Sequence, residues 1–258
     1  MRTVLVIGIG LGSPDQVTLE AVAALNRVDV FFGTEKGSAA DELSMLRRAL
    51  CDRHATARPH RFVNAPDPER DRAPRSYQLA VADWTAARAE VYETMLEAEL
   101  AEGGCGGVLA WGDPAFYDST LRVLDAVRAA GRLDLEVEVV PGVSSVQALA
   151  AAHRISLTRV GRPLTLTTGR RLVAGGYPTG VDDVVVMLDG DTAFARIEPE
   201  GLTIYWGAYL GSPGQILVAG DLKAVREDIL TARRDARDRR GWIMDTYLLR
   251  RAPHETSG

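Results

Sequence analysis

Thr3-Val4-Leu5-Val6-Ile7-Gly8-Ile9-Gly10-Leu11-Gly12-Ser13-Pro14 begins as an unbroken apolar run and ends with a glycine at every second position. A short apolar run without polar alternation reads as a strand covered on both faces, as in a parallel sheet. The glycines that break it mark a tight turn where backbone comes close to other backbone or to a ligand. Residues 16–26 then have helical spacing, with Val17, Ala21, Ala24 and Leu25 on one side.

Working outward, the strand–helix alternation repeats. Residues 28–32 are a second apolar run, 41–50 read as a helix, and 76–101 as a long helix. Ala80, Trp84, Ala87, Val91 and Met95 set out the buried face of that long helix. Gly103, Gly104, Gly106 and Gly107 end it; a strand follows at 108–111, a helix at 119–130, a strand at 135–140 and a helix at 144–152. This alternation predicts a parallel α/β sheet. Residues 51–75 show no period, carry Pro59, Pro66, Pro68 and Pro74 with many arginines, and read as one long loop of the functional or mobile kind. After His153 the texture changes: strand candidates at 164–168, 184–188, 202–206, 215–219 and 242–249 surround one long helix at 222–239. The fold expected is α/β in two domains. Residues 1–142 form a parallel domain with helices on both faces, and 143–258 a mixed one.

Composition narrows the function class. Of 258 residues, 46% are hydrophobic and 25% charged, as in a globular chain with a large core. Basic residues number 30 against 35 acidic, a formal net charge of −5, which argues against nucleic acid as partner. Cys51 and Cys105 form neither a metal-type pair nor a disulfide framework, which suits a reducing cytoplasm. No apolar run approaches the ~20 residues of a membrane span, and the apolar start reads as a buried strand rather than a signal peptide.

Three strand-to-helix junctions carry the chemistry. Gly8-Ile9-Gly10-Leu11-Gly12 invites comparison with a dinucleotide fingerprint, but that motif is G-x-G-x-x-G, and Ser13 stands in its last slot. Trp111-Gly112-Asp113-Pro114-Ala115-Phe116-Tyr117 lies at the carboxyl end of a strand, where open α/β sheets place ligands. Asp113 offers a carboxylate to ribose hydroxyls or to backbone N–H groups, while Asp118 and Ser119 are better placed to cap the next helix. Val140-Pro141-Gly142-Val143-Ser144-Ser145 is the third junction; its serines serve as a helix cap or as donors to a polar ligand. All three are expected on one sheet edge.

In this order the motifs resemble those of the tetrapyrrole methyltransferases, the class III S-adenosylmethionine enzymes. That family shows G-x-G-x-G, then G-D-P, then P-G-[VI]-[ST]-[SA]. A later Q-x-x-x-x-G-x-L stretch has its counterpart at Gln215 to Leu222. The resemblance spans nearly the whole chain. Leu11 stands where many members have proline, and Leu188 where many have a methionine. The resemblance implies two α/β domains with S-adenosylmethionine in the cleft between them, no metal, and a cytoplasmic homodimer. It implies cofactor contacts at Leu11, Trp111, Gly112, Asp113, Phe116, Ser144, Ser145 and Leu188.

The stretches Phe31 to Gly37, Asn64 to Arg72 and Ile204 to Gly211 are similar to the member of the family that methylates ring carbon 1 of precorrin-5. That member releases the extruded two-carbon unit as acetate. Another precorrin or uroporphyrinogen methyltransferase, an NAD-dependent oxidoreductase and a non-catalytic nucleotide sensor are the alternatives. Candidate catalytic groups are Glu35, at the end of the second strand, and Asp113; Asp71 reads as solvated. Arg70, Arg72 and Arg75 are the candidate substrate ligands, since guanidinium forks match carboxylates. Arg170 and Arg171 form a second pair. His54 and His60 read as surface histidines, and His153 as a structural hydrogen-bonding group. The tract Arg233-Arg234, Arg237, Arg239-Arg240 reads as a solvated helix face.

Overall fold

A computed structural model describes residues 1–35, 39–69 and 76–252, with 39–42 described by their backbone alone. The chain divides into two units, Met1–Ser144 and Ser145–Gly258.

In the first unit, β1 (Arg2–Gly8), β2 (Val30–Glu35), β3 (Arg61–Pro66), β4 (Cys105–Ala110) and β5 (Leu135–Val140) form a wholly parallel sheet in the order β3-β2-β4-β1-β5. The helices are α1 (Leu19–Leu25), α2 (Ala39–His54), α3 (Tyr77–Glu99) and α4 (Thr120–Ala130). Side chains of a strand alternate between faces, and β1 shows what that achieves. Val4 and Val6 pack with Tyr92, Leu96, Val123 and Leu124 of α3 and α4. Leu5 and Ile7 pack with Ala24 and Leu25 of α1 and Leu50 and Cys51 of α2. All four of these β1 residues are fully buried, which is why the strand is apolar without a break from Val4 to Ile7.

The strand order creates a crevice. The connection from β1 to β2 runs over the α1/α2 face, and that from β4 to β5 over the α3/α4 face. Since β1 and β4 are neighbours, the loops at their carboxyl ends part in opposite directions. Open α/β sheets bind ligands at such a switch point.

Two readings of the sequence need correction here. Residues 51–75 are not one loop: α2 runs on to His54, and β3 follows as the edge strand beside β2. An edge strand is half solvated, so Arg61-Phe62-Val63-Asn64-Ala65-Pro66 carries polar residues and a terminal proline that mask its strand character. Gly106 and Gly107 do not end a helix but lie inside β4. A Cβ at Gly107 would come within 2.9 Å of the Phe31 ring, and one at Gly106 within 3.0 Å of Phe32. The aromatic residues of β2 occupy the space that side chains on β4 would need.

The second unit holds β6 (Leu164–Thr168), β7 (Asp183–Met187), β8 (Leu202–Ala208), β9 (Ile216–Asp221) and β10 (Asp245–Arg251) in the order β6-β7-β10-β8-β9. Only β6 and β7 pair in parallel; β10 is antiparallel to both its neighbours, and β8 is antiparallel to β9. Its helices are α5 (Ser145–His153), α6 (Gly169–Gly175) and α7 (Leu222–Arg240). One face of the sheet, with Trp206 and Tyr247 at its centre, packs on α6 and α7; α5 lies against β8 and β10. The short α6 has no apolar period of its own.

A third correction concerns α7. Arg234, Arg237, Arg239 and Arg240 are exposed, but Arg233 is buried. Its Nε lies 2.8 Å from Asp245 on β10, and its guanidinium also donates to the Asp189 carbonyl. An arginine enters a core when a carboxylate is already waiting there, and that partner lies far off in sequence.

Candidate active site

The three glycine junctions meet at the carboxyl edge of the first sheet. Gly10 and Gly112 exchange backbone hydrogen bonds, Gly10 N to Gly112 O at 3.2 Å and Gly112 N to Gly10 O at 2.8 Å. Gly142 completes the contact: a Cβ there would sit 2.2 Å from Gly112 O, and one on Gly8 would sit 2.5 Å from Gly142 N. Here the need for glycine is steric, because three backbones pass where no side chain fits. Gly112 adds a positive φ of 71°.

Asp113 locks the arrangement. Its Oδ1 accepts from Ala115 N and its Oδ2 from Gly142 N, both at 2.8 Å, and it is 9% exposed. Asp118 accepts from Thr120 N at 2.6 Å and so caps α4. Leu11 is buried, Trp111 half-buried against Gly12, and Phe116 exposed beyond the loop. Ser144 is buried at the end of the first unit.

In the second unit, Ser145 Oγ accepts from Thr246 Oγ1 at 3.1 Å. Leu188 follows β7 with φ at 52° and is exposed. This strained backbone is held by its neighbour. Asp189 is buried, and its carboxylate accepts from Ala193 N and from the Tyr247 hydroxyl, each at 2.7 Å. Gly169 leaves room for that carboxylate, since a Cβ there would lie 2.2 Å from Asp189 Oδ1. His153 Nε2 lies 3.0 Å from the Trp206 carbonyl, the structural bond expected of it.

Glu35 ends β2 on the same edge of the first sheet. It is exposed and accepts from Asn64 Nδ2 at 2.6 Å. Beside it opens a cavity of about 120 Å3, bordered by Thr34, Asn64, Arg47, Arg48, Arg88 and Asp118 among others. Sequence reasoning did not single out Arg47, Arg48, Asn64 or Arg88. Arg88 ties the edge together: it donates to Ser119 Oγ and Thr34 Oγ1 at 2.7 Å, and its Nε is 2.9 Å from Asp67. The available signal was Arg88 lying one turn beyond Trp84, whose ring its guanidinium covers at 4.7 Å.

Arg70, Arg72 and Arg75, the expected substrate ligands, lie outside the described residues, as does Asp71. Arg170 and Arg171 are exposed at the start of α6. His54 is half-buried, with Nε2 3.0 Å from the Pro14 carbonyl; His60 is edge-on to Phe31 and Phe62. Among the described residues, no group of three or more His, Cys, Asp or Glu side chains is arranged to hold a metal ion, and no helix is long and apolar enough to cross a membrane.

With this geometry in view, comparison with known proteins decides the family. The sequence model for Tetrapyrrole (Corrin/Porphyrin) Methylases matches residues 3–226. This chain belongs to that family. Among its tetrapyrrole methylase relatives is the precorrin-6A synthase [deacetylating] of Sinorhizobium sp, 46% identical over 251 residues, 97% of this chain and 96% of that one. A precorrin-2 C(20)-methyltransferase of the same source is 29% identical over 140 residues, 54% of this chain and 53% of that one. Among solved structures, a Corynebacterium diphtheriae protein described as related to cobalamin synthesis (CobF) is 34% identical with a TM-score of 0.81, covering 98% of this chain and all of that one. A uroporphyrin-III C-methyltransferase from Thermus thermophilus, solved with S-adenosylhomocysteine, shares the fold at a TM-score of 0.58 and 18% identity over 96% of this chain and 91% of that one.

Proposed function

We propose that this tetrapyrrole methylase transfers a methyl group from S-adenosylmethionine to ring carbon 1 of precorrin-5 and releases the extruded acetyl unit as acetate, giving precorrin-6A. The observation that carries the reading is the 46% identity over nearly the full length of both chains to a precorrin-6A synthase. The convergence of the three glycine junctions on one sheet edge supports it.

The residues at that edge fit an adenosyl cofactor. Gly-rich turns bring backbone amides and carbonyls to the crevice without side chains in the way, as polar hydroxyls of a nucleoside require. Leu11, Trp111, Gly112, Asp113, Phe116, Ser144 and Ser145 are the contacts assigned to it, with the Leu188 backbone serving the nucleobase. When bound, the cofactor supplies an electrophilic methyl on a sulfonium whose leaving group departs neutral, so the protein need offer neither leaving-group acid nor metal. Positioning of carbon against methyl is then the main contribution, worth several kcal/mol.

Glu35 is assigned as the base that withdraws a proton from the substrate as its ring carbon becomes nucleophilic. Asn64 orients the carboxylate through its bond to Oε1. Loss of the acetyl unit needs water at a ketone carbonyl and donors for the resulting oxyanion. Arg70, Arg72 and Arg75 are assigned to the substrate carboxylates. The chain is taken to work as a cytoplasmic homodimer, as the family resemblance implies; two free cysteines suit that compartment. Mass spectrometry after incubation with S-adenosylmethionine and precorrin-5 tests the reading. A product that has gained one methyl and lost one acetyl is expected, and recovery of unchanged precorrin-5 would overturn it.

A further inference from the structure

Ser44, Arg47 and Arg48 stand at i, i+3 and i+4 on α2 and so share one face of that helix. That face looks onto the cavity of about 120 Å3 beside Glu35. A volume of that size holds a few waters at about 30 Å3 each, or one short carboxylate arm.

Arg47 is the unusual member. Its Nε is buried without a hydrogen-bond partner. Guanidinium stays protonated in proteins, and a buried charge is costly unless paired. Burial lowers the pKa of Arg47, and Tyr92 and Asp118 pull against that shift. Asp118 gives charge support from nearby, with one oxygen on the Thr120 N–H, but no acceptor among the described residues reaches Arg47 Nε. Arg88 is matched with Asp67. Arg48 is exposed, its guanidinium 4.5 Å above the Phe62 ring. The lining thus keeps a surplus of positive charge, together with the hydroxyls of Thr34 and Ser44 and the amide of Asn64.

We propose that this cavity is a carboxylate pocket in which Arg47 receives one carboxylate arm of the tetrapyrrole substrate. The inference rests on the reading of the substrate as a polycarboxylate tetrapyrrole. It supplies a ligand on α2 that sequence reasoning did not name. Because Asn64 borders the pocket and also holds Glu35, an arm seated there fixes the macrocycle relative to the base. Acetate, the released product, has the same chemistry and is the other source of a carboxylate.

Steady-state kinetics of the full chain, wild type against Arg47→Met and Arg47→Lys, test this. Arg47→Met is expected to raise the KM for precorrin-5 at least tenfold. It should leave S-adenosylhomocysteine affinity unchanged and the urea midpoint equal or higher, since a guanidinium whose buried Nε lacks an acceptor is removed. Arg47→Lys should recover part of the KM. An unchanged KM with loss of inhibition by added acetate would overturn the substrate-arm assignment and give the pocket to the product. An unchanged KM with unchanged acetate inhibition, or a lowered urea midpoint with unchanged KM, would overturn the pocket altogether. If the wild type fails to methylate precorrin-5, the functional reading fails instead. Calorimetric titration with acetate then decides the pocket alone: binding lost in Arg47→Met upholds it, and no binding to the wild type overturns it.

Discussion

Asp113 Oδ2 accepts the Gly142 N–H at 2.8 Å, so a carboxylate after β4 holds the turn after β5 in place. Its other oxygen holds Ala115 N, and both bonds are largely shielded from water. Asp113→Ala leaves two N–H groups without their acceptor. A loss of about 1–3 kcal/mol in urea-unfolding stability is expected, together with weaker S-adenosylhomocysteine binding by calorimetry, because the turns proposed to hold the cofactor lose their alignment. Asp113→Asn keeps one acceptor oxygen and should fall between. Weakened binding with unchanged stability would mean that the carboxylate serves the ligand directly.

How legible this was differs from place to place. The fully apolar strand at Val4 to Ile7 and the three glycine junctions are local signals, and they placed the parallel sheet and the meeting of the junctions at its carboxyl edge. The use of both Asp113 oxygens was not legible, because the partner at Gly142 N lies 29 residues on. Strand β3 was hidden by its edge position, and the burial of Arg233 by a partner on β10 that no local pattern announces. Arg47 escaped notice for a related reason. An arginine on an amphipathic helix normally faces solvent, and only the sheet edge above it shows otherwise.

The pair Arg233–Asp245 supports a second prediction. Asp245 also accepts from Trp206 Nε1 at 2.9 Å, and burial pushes its carboxyl pKa up while Arg233 pulls it back. Asp245→Ala would strand Arg233 in the core, at a cost of about 3–5 kcal/mol. The same guanidinium donates to the Asp189 carbonyl, next to Leu188. Chemical denaturation should therefore show the loss, and amide exchange should rise over 188–193. The double variant Asp245→Ala, Arg233→Met should recover most of the stability.

Alkaline pH supplies a third. The Cys51 thiol is fully buried on α2, and burial pushes its pKa from 9.0 to about 12. The Tyr177 hydroxyl is raised from 10.0 to about 12 by burial too. Both folded-state values exceed the unfolded ones, so the unfolded chain loses these protons first. Stability from these groups is complete below about pH 9 and falls as pH rises toward 12. Urea midpoints of the wild type should decline over that window. Cys51→Ala should lower the midpoint at pH 7 through lost packing but flatten the decline above pH 9. An identical slope in the two proteins would show that the thiol plays no part.

Glu35 carries the last prediction. Its Oε1 accepts from Asn64 Nδ2, and the amide of a glutamine can accept the same bond, so Glu35→Gln keeps the local geometry and removes only the basic oxygen. A base working in the transition state contributes about 10²- to 10⁴-fold. The kcat of Glu35→Gln should fall by that factor, with the KM for precorrin-5 and the S-adenosylhomocysteine affinity little changed. Asn64→Ala should act more mildly on kcat, because it frees the carboxylate to wander without removing it. The urea midpoint separates a base from a support: Glu35→Gln should keep the wild-type midpoint while losing rate. A fall in kcat of both variants in step with a lowered urea midpoint would make Glu35 a support of the β2 edge and place the base elsewhere on the crevice.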